Sequence, residues 1–131
     1  MNINDELAKL KPKIKKYVEL MKLDSGYISA QDARDRMSKF LLAQSSLMNI
    51  LMEVDIELTK YSSVERATYS KLALSSGGKS ITEKKLSVES DDDYIEAKES
   101  RDDMEAYRNY LKSYVKIFEN AHIMFRQLSK D

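Results

Sequence analysis

Six cations, Lys60, Arg66, Lys71, Lys79, Lys84 and Lys85, fall in one stretch of a chain whose formal net charge is zero. Only Glu65 and Glu83 oppose them there, and Tyr61 and Tyr69 are interleaved. Lysine and arginine hold phosphates, and aromatic faces stack bases. Gly77 and Gly78 add backbone that can conform to a flexible strand. Together these are the ingredients of a single-stranded nucleic-acid site. The same residue types also suit a plain solvated surface, so at this level both readings stand.

Other groupings support less chemistry. Gly78-Lys79-Ser80 matches the end of a phosphate-binding loop, but the full pattern needs glycine where this chain has Ala73. A helical pattern rather than a strand also precedes it, so the backbone nest that cradles phosphates lacks its scaffold. Asp91, Asp92, Asp93, Glu96, Glu99, Asp102 and Asp103 form an acidic cluster without the loop ligation of a calcium site. It reads as a solvated face, or as a partner for basic blocks of a neighbouring subunit. His122 is the single histidine, and amid apolar helical residues it reads as a packing residue rather than a ligand or base. No serine is placed on an elbow and no base is oriented toward one. The expectation is a non-enzymatic protein with no catalytic residue, metal or cofactor.

Composition narrows the class. The 131 residues suit a single domain, and 42% apolar with 34% charged residues, one proline and three glycines suit long helices. The absence of cysteine excludes disulfides and thiolate chemistry and makes a cytoplasmic setting the natural expectation. Residues 1–10 carry no apolar signal core, and no apolar run approaches the length of a membrane span, so no span is expected and the main reading has no membrane partner. Charge is segregated along the chain. Counting Lys and Arg against Asp and Glu, residues 1–23 carry +3, 24–59 carry −3, 60–85 carry +4, 86–106 carry −7 and 107–131 carry +3. Alternating blocks of this kind can steer a polyanion to one face or pair one subunit with the next.

Helices must position these blocks. Leu7, Leu10, Ile14, Tyr17, Val18 and Met21 recur at helical spacing in an N-terminal arm, residues 1–28, with Lys9, Lys11, Lys13, Lys15, Lys16 and Lys22 on its other faces. Pro12 either starts a new helix after a turn near Leu10 or kinks a single one. Asp24-Ser25-Gly26 is a C-terminal stop signal. Residues 29–74 form a second helix with the seam Met37, Phe40, Gln44, Leu47, Leu51, Val54, Leu58 and Tyr61. A further row of Leu41, Met48 and Met52 widens its apolar surface. Residues 75–90 read as a basic, glycine-containing loop or short hairpin, and Ser90 with the three aspartates that follow starts a terminal helix over 91–131. That helix carries Met104, Tyr107, Leu111, Tyr114, Phe118, Phe125 and Leu128 on one stripe, more than one short partner needs. The expected fold is all-α: a long antiparallel helical hairpin with an N-terminal amphipathic arm, assembling as a coiled-coil-like homo-oligomer through the terminal stripe.

From Lys60 to Leu128 the order of features resembles the UvsY-type recombination mediators of T-even-like bacteriophages. The likeness lies in a basic helix end running from Arg66 through Lys71 to Ser76-Gly77, followed by a polar loop and Leu86-Ser87. Next comes the acidic entry Asp91-Asp92-Asp93-Tyr94-Ile95-Glu96-Ala97-Lys98, and the long helix then ends at His122-Ile123-Met124-Phe125-Arg126-Gln127-Leu128. The resemblance implies a ring-forming helical protein of the host-cell cytoplasm that binds single-stranded DNA. Such a protein helps load a RecA-like recombinase onto strands covered by single-stranded-DNA-binding protein. By position, Arg66 and Lys71 match the DNA-contacting stretch, and the terminal helix matches the oligomerisation region. Where tyrosines are expected before Ser-Gly, this chain has Leu74 and Ser75, which moves base stacking to Tyr69. A helical adaptor or phage-encoded inhibitor acting on a protein, and a membrane-surface role for the Lys-rich arm, are the alternatives.

Overall fold

The computed structural model describes residues 1–23 and 26–130. Its elements are α1 (Ile3–Leu20), α2 (Ala30–Ser75), α3 (Ile81–Glu89) and α4 (Asp92–Leu128), with no strand among the described residues. The fold is all-α, and α2 and α4 form the long antiparallel hairpin expected from the two seams. Contacts divide the chain into one compact unit of residues 1–52 and 109–131, and another of residues 53–108.

Side-chain caps start the helices. The Asn2 side chain accepts from the Asp5 N–H at 3.1 Å, and Ser29 Oγ accepts from the Asp32 N–H at 3.1 Å. Pro12 lies inside α1, which runs through it as one helix. Pro12 and Ala8 are both exposed, so the carbonyl that loses its helical donor faces water. The helix ends on Met21, ahead of the expected stop signal; Asp24 and Ser25 of that signal lie outside the described residues.

In the unit of residues 1–52 and 109–131, α1 lays Leu10 and Ile14 into a core with Phe40, Leu47, Leu111, Phe118 and Phe125. Phe40 stacks on Phe125 with ring centroids 5.6 Å apart, and Phe118 lies 5.7 Å from Phe40 and 5.5 Å from Tyr17. Arg36 closes this end. Its Nη1 donates to the carbonyls of Leu20 at 3.0 Å and Lys22 at 2.8 Å, and its guanidinium sits 5.7 Å from the Phe125 ring centre. The contact ties the end of α1 to α2 at a point where no hydrophobic pattern announces it.

In the unit of residues 53–108, Val54, Val88, Met104 and Tyr107 are buried. Arg101 holds Glu65 at 3.4 Å, Asp102 at 3.1 Å and Glu105 at 3.3 Å, and Arg108 pairs with Asp55. The stretch after α2 corrects the sequence reading. Residues 75–90 are not a loop or hairpin throughout: Ile81–Glu89 is helical. The missed signal was Ser80, whose Oγ accepts from the Glu83 N–H at 3.2 Å in the Ser-x-x-Glu spacing of a helix start. A nine-residue helix offers few repeats of its period, so apolar spacing over Ile81–Glu89 does not announce it. Gly78, at φ +84°, supplies the left-handed residue that turns the chain from α2 into α3.

Candidate nucleic-acid interface

The seven residues expected to contact DNA all belong to the unit of residues 53–108. Lys60, Arg66 and Lys71 project from α2 and are exposed. Eleven residues separate Lys60 from Lys71, about three helical turns, so these two share a face with roughly 16 Å between them along the axis. Arg66 lies about a third of a turn away from that face. Lys79 precedes α3, and Lys84 and Lys85 sit on it. The cations therefore divide between two helices and their connection, where the sequence reading had placed them along a helix end and a flexible loop.

Their pairing separates them further. Lys60 meets Glu57 at 3.3 Å, and Lys79 Nζ donates to Ser87 Oγ at 3.1 Å. Arg66, Lys71, Lys84 and Lys85 have no ion pair among the described residues. Arg101 and Arg108 of the same unit, by contrast, are bound to carboxylates. A polar hollow of about 280 Å³ opens beside Lys79, lined by Ser75, Ser76, Gly77, Ser87 and Asp91. Its hydroxyls already have partners, since Ser75 and Ser76 both donate to the Leu72 carbonyl. Asp91 accepts from the Asp93 N–H at 2.9 Å and so starts α4, one residue after the expected Ser90, which instead ends α3 and donates to the Leu86 carbonyl.

Stacking on Tyr69 is the expectation the geometry disfavours. Its ring meets Tyr94 edge-on at 5.6 Å and is half-buried, so part of its surface is already spent on packing. Tyr94 in turn donates to Glu65 Oε1 at 3.5 Å. Burial, followed by the nearby charges of Glu65 and Glu89, raises the Tyr94 phenol above its ordinary value. The pair belongs to the packing of this unit.

The oligomerisation stripe is also corrected. Met104, Tyr107, Leu111, Phe118 and Phe125 are each no more than 3% exposed within one chain, Tyr114 is half-buried, and only Leu128 is open, at 41%. The stripe finds its partners in α1 and α2 because these present enough apolar surface to cover it. It therefore offers little to a second copy. Large exposed apolar residues lie elsewhere, among them Leu41, Leu42, Met48, Met52 and Leu74 on α2 and Ile81 and Leu86 on α3.

Charge follows the two units. Residues 1–52 and 109–131 hold thirteen Lys and Arg against eight Asp and Glu, while residues 53–108 hold nine against fourteen. The DNA-site candidates thus sit in the acidic unit, and the six exposed lysines of the N-terminal arm sit in the basic one. On α1, Lys9, Lys13 and Lys16 fall on one flank at spacings of four and three. Among the described residues no group of three or more His, Cys, Asp or Glu is placed to hold a metal, and no helix is long and apolar enough to cross a membrane. Compared with known proteins, the chain matches no protein-family model, no curated protein and no solved structure.

Proposed function

We propose that the chain is a non-enzymatic helical protein of the cytoplasm that binds single-stranded DNA through its phosphates and acts as a recombination mediator. One observation carries the DNA-binding step. Arg66, Lys71, Lys84 and Lys85 lack carboxylate partners in a unit that neutralises its other arginines. Cations left without partners can exchange their counterions for phosphates. With Tyr69 partly engaged by Tyr94, the contact rests chiefly on phosphates and depends steeply on salt. Loading of a RecA-like recombinase onto strands covered by single-stranded-DNA-binding protein rests on the resemblance of residues 60–128 alone. So does action as a ring-shaped homo-oligomer.

The net negative charge of residues 53–108 weakens long-range attraction, so the contact must be short-ranged. The arm is the competing surface, because its unit carries the opposite sign. Fluorescence anisotropy with labelled oligo-dT and duplex across a salt series decides between them. Replacing Lys71, Lys84 and Lys85 with Ala should weaken oligo-dT binding and flatten the slope of log affinity against log salt by about 2, at about 0.7 per lost phosphate contact. Replacing Lys9, Lys13 and Lys16 should leave the slope unchanged. The reverse pattern moves the site to α1. Absence of binding by either DNA near physiological salt replaces this reading with the adaptor or inhibitor, which the uncovered apolar residues of α2 favour.

A further inference from the structure

The thirteen residues from Phe40 to Met52 contain no charge, in a chain where 34% of residues are charged. A helix must turn some of them outward. Those turned outward include Leu41, Leu42, Met48 and Met52, at 49%, 67%, 48% and 66% exposure, with exposed Ser45 and Asn49 between them. Leu41, Ser45, Met48 and Met52 are spaced by four, three and four, the rhythm of a coiled-coil seam. They lie on the side of α2 away from Phe40, Ala43 and Leu47, which are buried. An exposed leucine alone is ordinary, but four large apolar side chains on one uncharged helix face form a contact surface.

We propose that this face is a homodimer contact, in which a second copy of the chain lays its α2 antiparallel across the first. Charge selects both occupant and direction. Before the face, Arg34 and Lys39 outweigh Asp35, with Arg36 turned to the Leu20 and Lys22 carbonyls; after it, Glu53 has no ion pair among the described residues, while Asp55 and Glu57 meet Arg108 and Lys60. A parallel copy sets like charge on like at both ends, whereas an antiparallel copy sets opposite signs together twice. The two-fold pairing puts Leu41 opposite the partner's Met52 and Ser45 opposite the partner's Met48. Each small serine thus receives a flexible thioether, and no layer is overfilled. The four side chains uncover roughly 100 Å² each, or about 800 Å² over both copies. With their polar rim this approaches the roughly 1,000 Å² of a small specific interface, so the dimer is reversible. An isologous pair closes at two, and the ring of the proposed function needs a separate head-to-tail contact.

The inference deepens the assembly part of the proposed function and stands whether or not the chain binds DNA, which oligo-dT anisotropy measures separately. Sedimentation velocity of the full chain should show a monomer–dimer equilibrium at tens of micromolar. Met48→Glu should weaken the dimer at least ~100-fold with unchanged helicity, because the side chain lies outside the core. The chain has no cysteine. A variant carrying both Leu41→Cys and Met52→Cys should therefore cross-link into dimers on oxidation, while each single variant stays monomeric on a non-reducing gel. Single variants that cross-link efficiently would overturn the antiparallel arrangement, and a dimer indifferent to Met48→Glu would overturn the face. A chain monomeric throughout would assign the face to another protein's helix and overturn the homodimer.

Discussion

Phe118→Ala separates a core residue from an interface residue. The side chain is 1% exposed and touches rings on three sides, Tyr17 at 5.5 Å, Phe40 at 5.7 Å and Tyr114 at 5.9 Å. Truncating a buried Phe to Ala costs about 3–5 kcal/mol, more where the surroundings cannot collapse. Here Phe40 and Phe125 are themselves fully buried, on helices of 46 and 37 residues that cannot bend inward locally. Phe118 also lines an apolar cleft of about 150 Å³ with Leu10, Ile14 and Leu47, so its loss enlarges an existing gap. A loss of about 4 kcal/mol is expected, which lowers the urea midpoint by about 2 M at a slope of about 2 kcal/mol per molar. Urea titration followed by far-ultraviolet circular dichroism at several protein concentrations measures it. The reasoning fails if the variant loses less than about 1 kcal/mol yet falls apart from a larger assembly. Phe118 would then be a subunit contact, as the stripe alone had implied.

Two further outcomes follow. The raised Tyr94 phenol means that the folded state holds its proton more tightly than the unfolded chain. Its contribution to stability is complete below the ordinary phenol value of 10.0 and is lost as pH rises through the higher folded value. Tyr110 is raised as well, by burial and then by Tyr114, so ultraviolet titration should find late-ionising tyrosines of which Tyr94→Phe removes one, together with part of the alkaline loss of stability. Ser80→Ala removes the cap of α3 and should cost about 1 kcal/mol, confined to residues 81–89. Amide exchange should quicken there and leave α4 protected; uniform quickening would show that α3 opens only with the whole unit.

Long elements were legible because their period repeats many times. The seam from Met37 to Tyr61 and the stripe from Met104 to Phe125 are buried or half-buried, as spacing alone predicts. A count of apolar positions does not reveal who covers them. The terminal stripe looked too large for one chain because the arm was treated as separate from its partner surface, whereas Leu10, Ile14 and Tyr17 fill that role. Short elements lack this redundancy, and α3 was visible only through its cap. The candidate DNA site was legible as charge but not as geometry. Nothing in a list of lysines says that Lys60 and Lys79 have local partners, or that Tyr69 meets Tyr94 across 25 residues of chain.

Once the terminal stripe is covered, two kinds of surface are left to act on other molecules, and their physics is opposite. Arg66, Lys71, Lys84 and Lys85 work through charge, whose attraction for phosphates falls steeply as salt rises. The outward face of Phe40–Met52 is uncharged and works through burial, which salt does not screen and which sulfate strengthens. DNA binding and self-association should therefore respond in opposite directions to added sulfate. If both surfaces serve one activity, high salt leaves a dimer that has released its strand, whereas low salt binds DNA while the dimer holds. A protein in which both properties fell together would be using its flanking charges, not its apolar face, to hold the second copy.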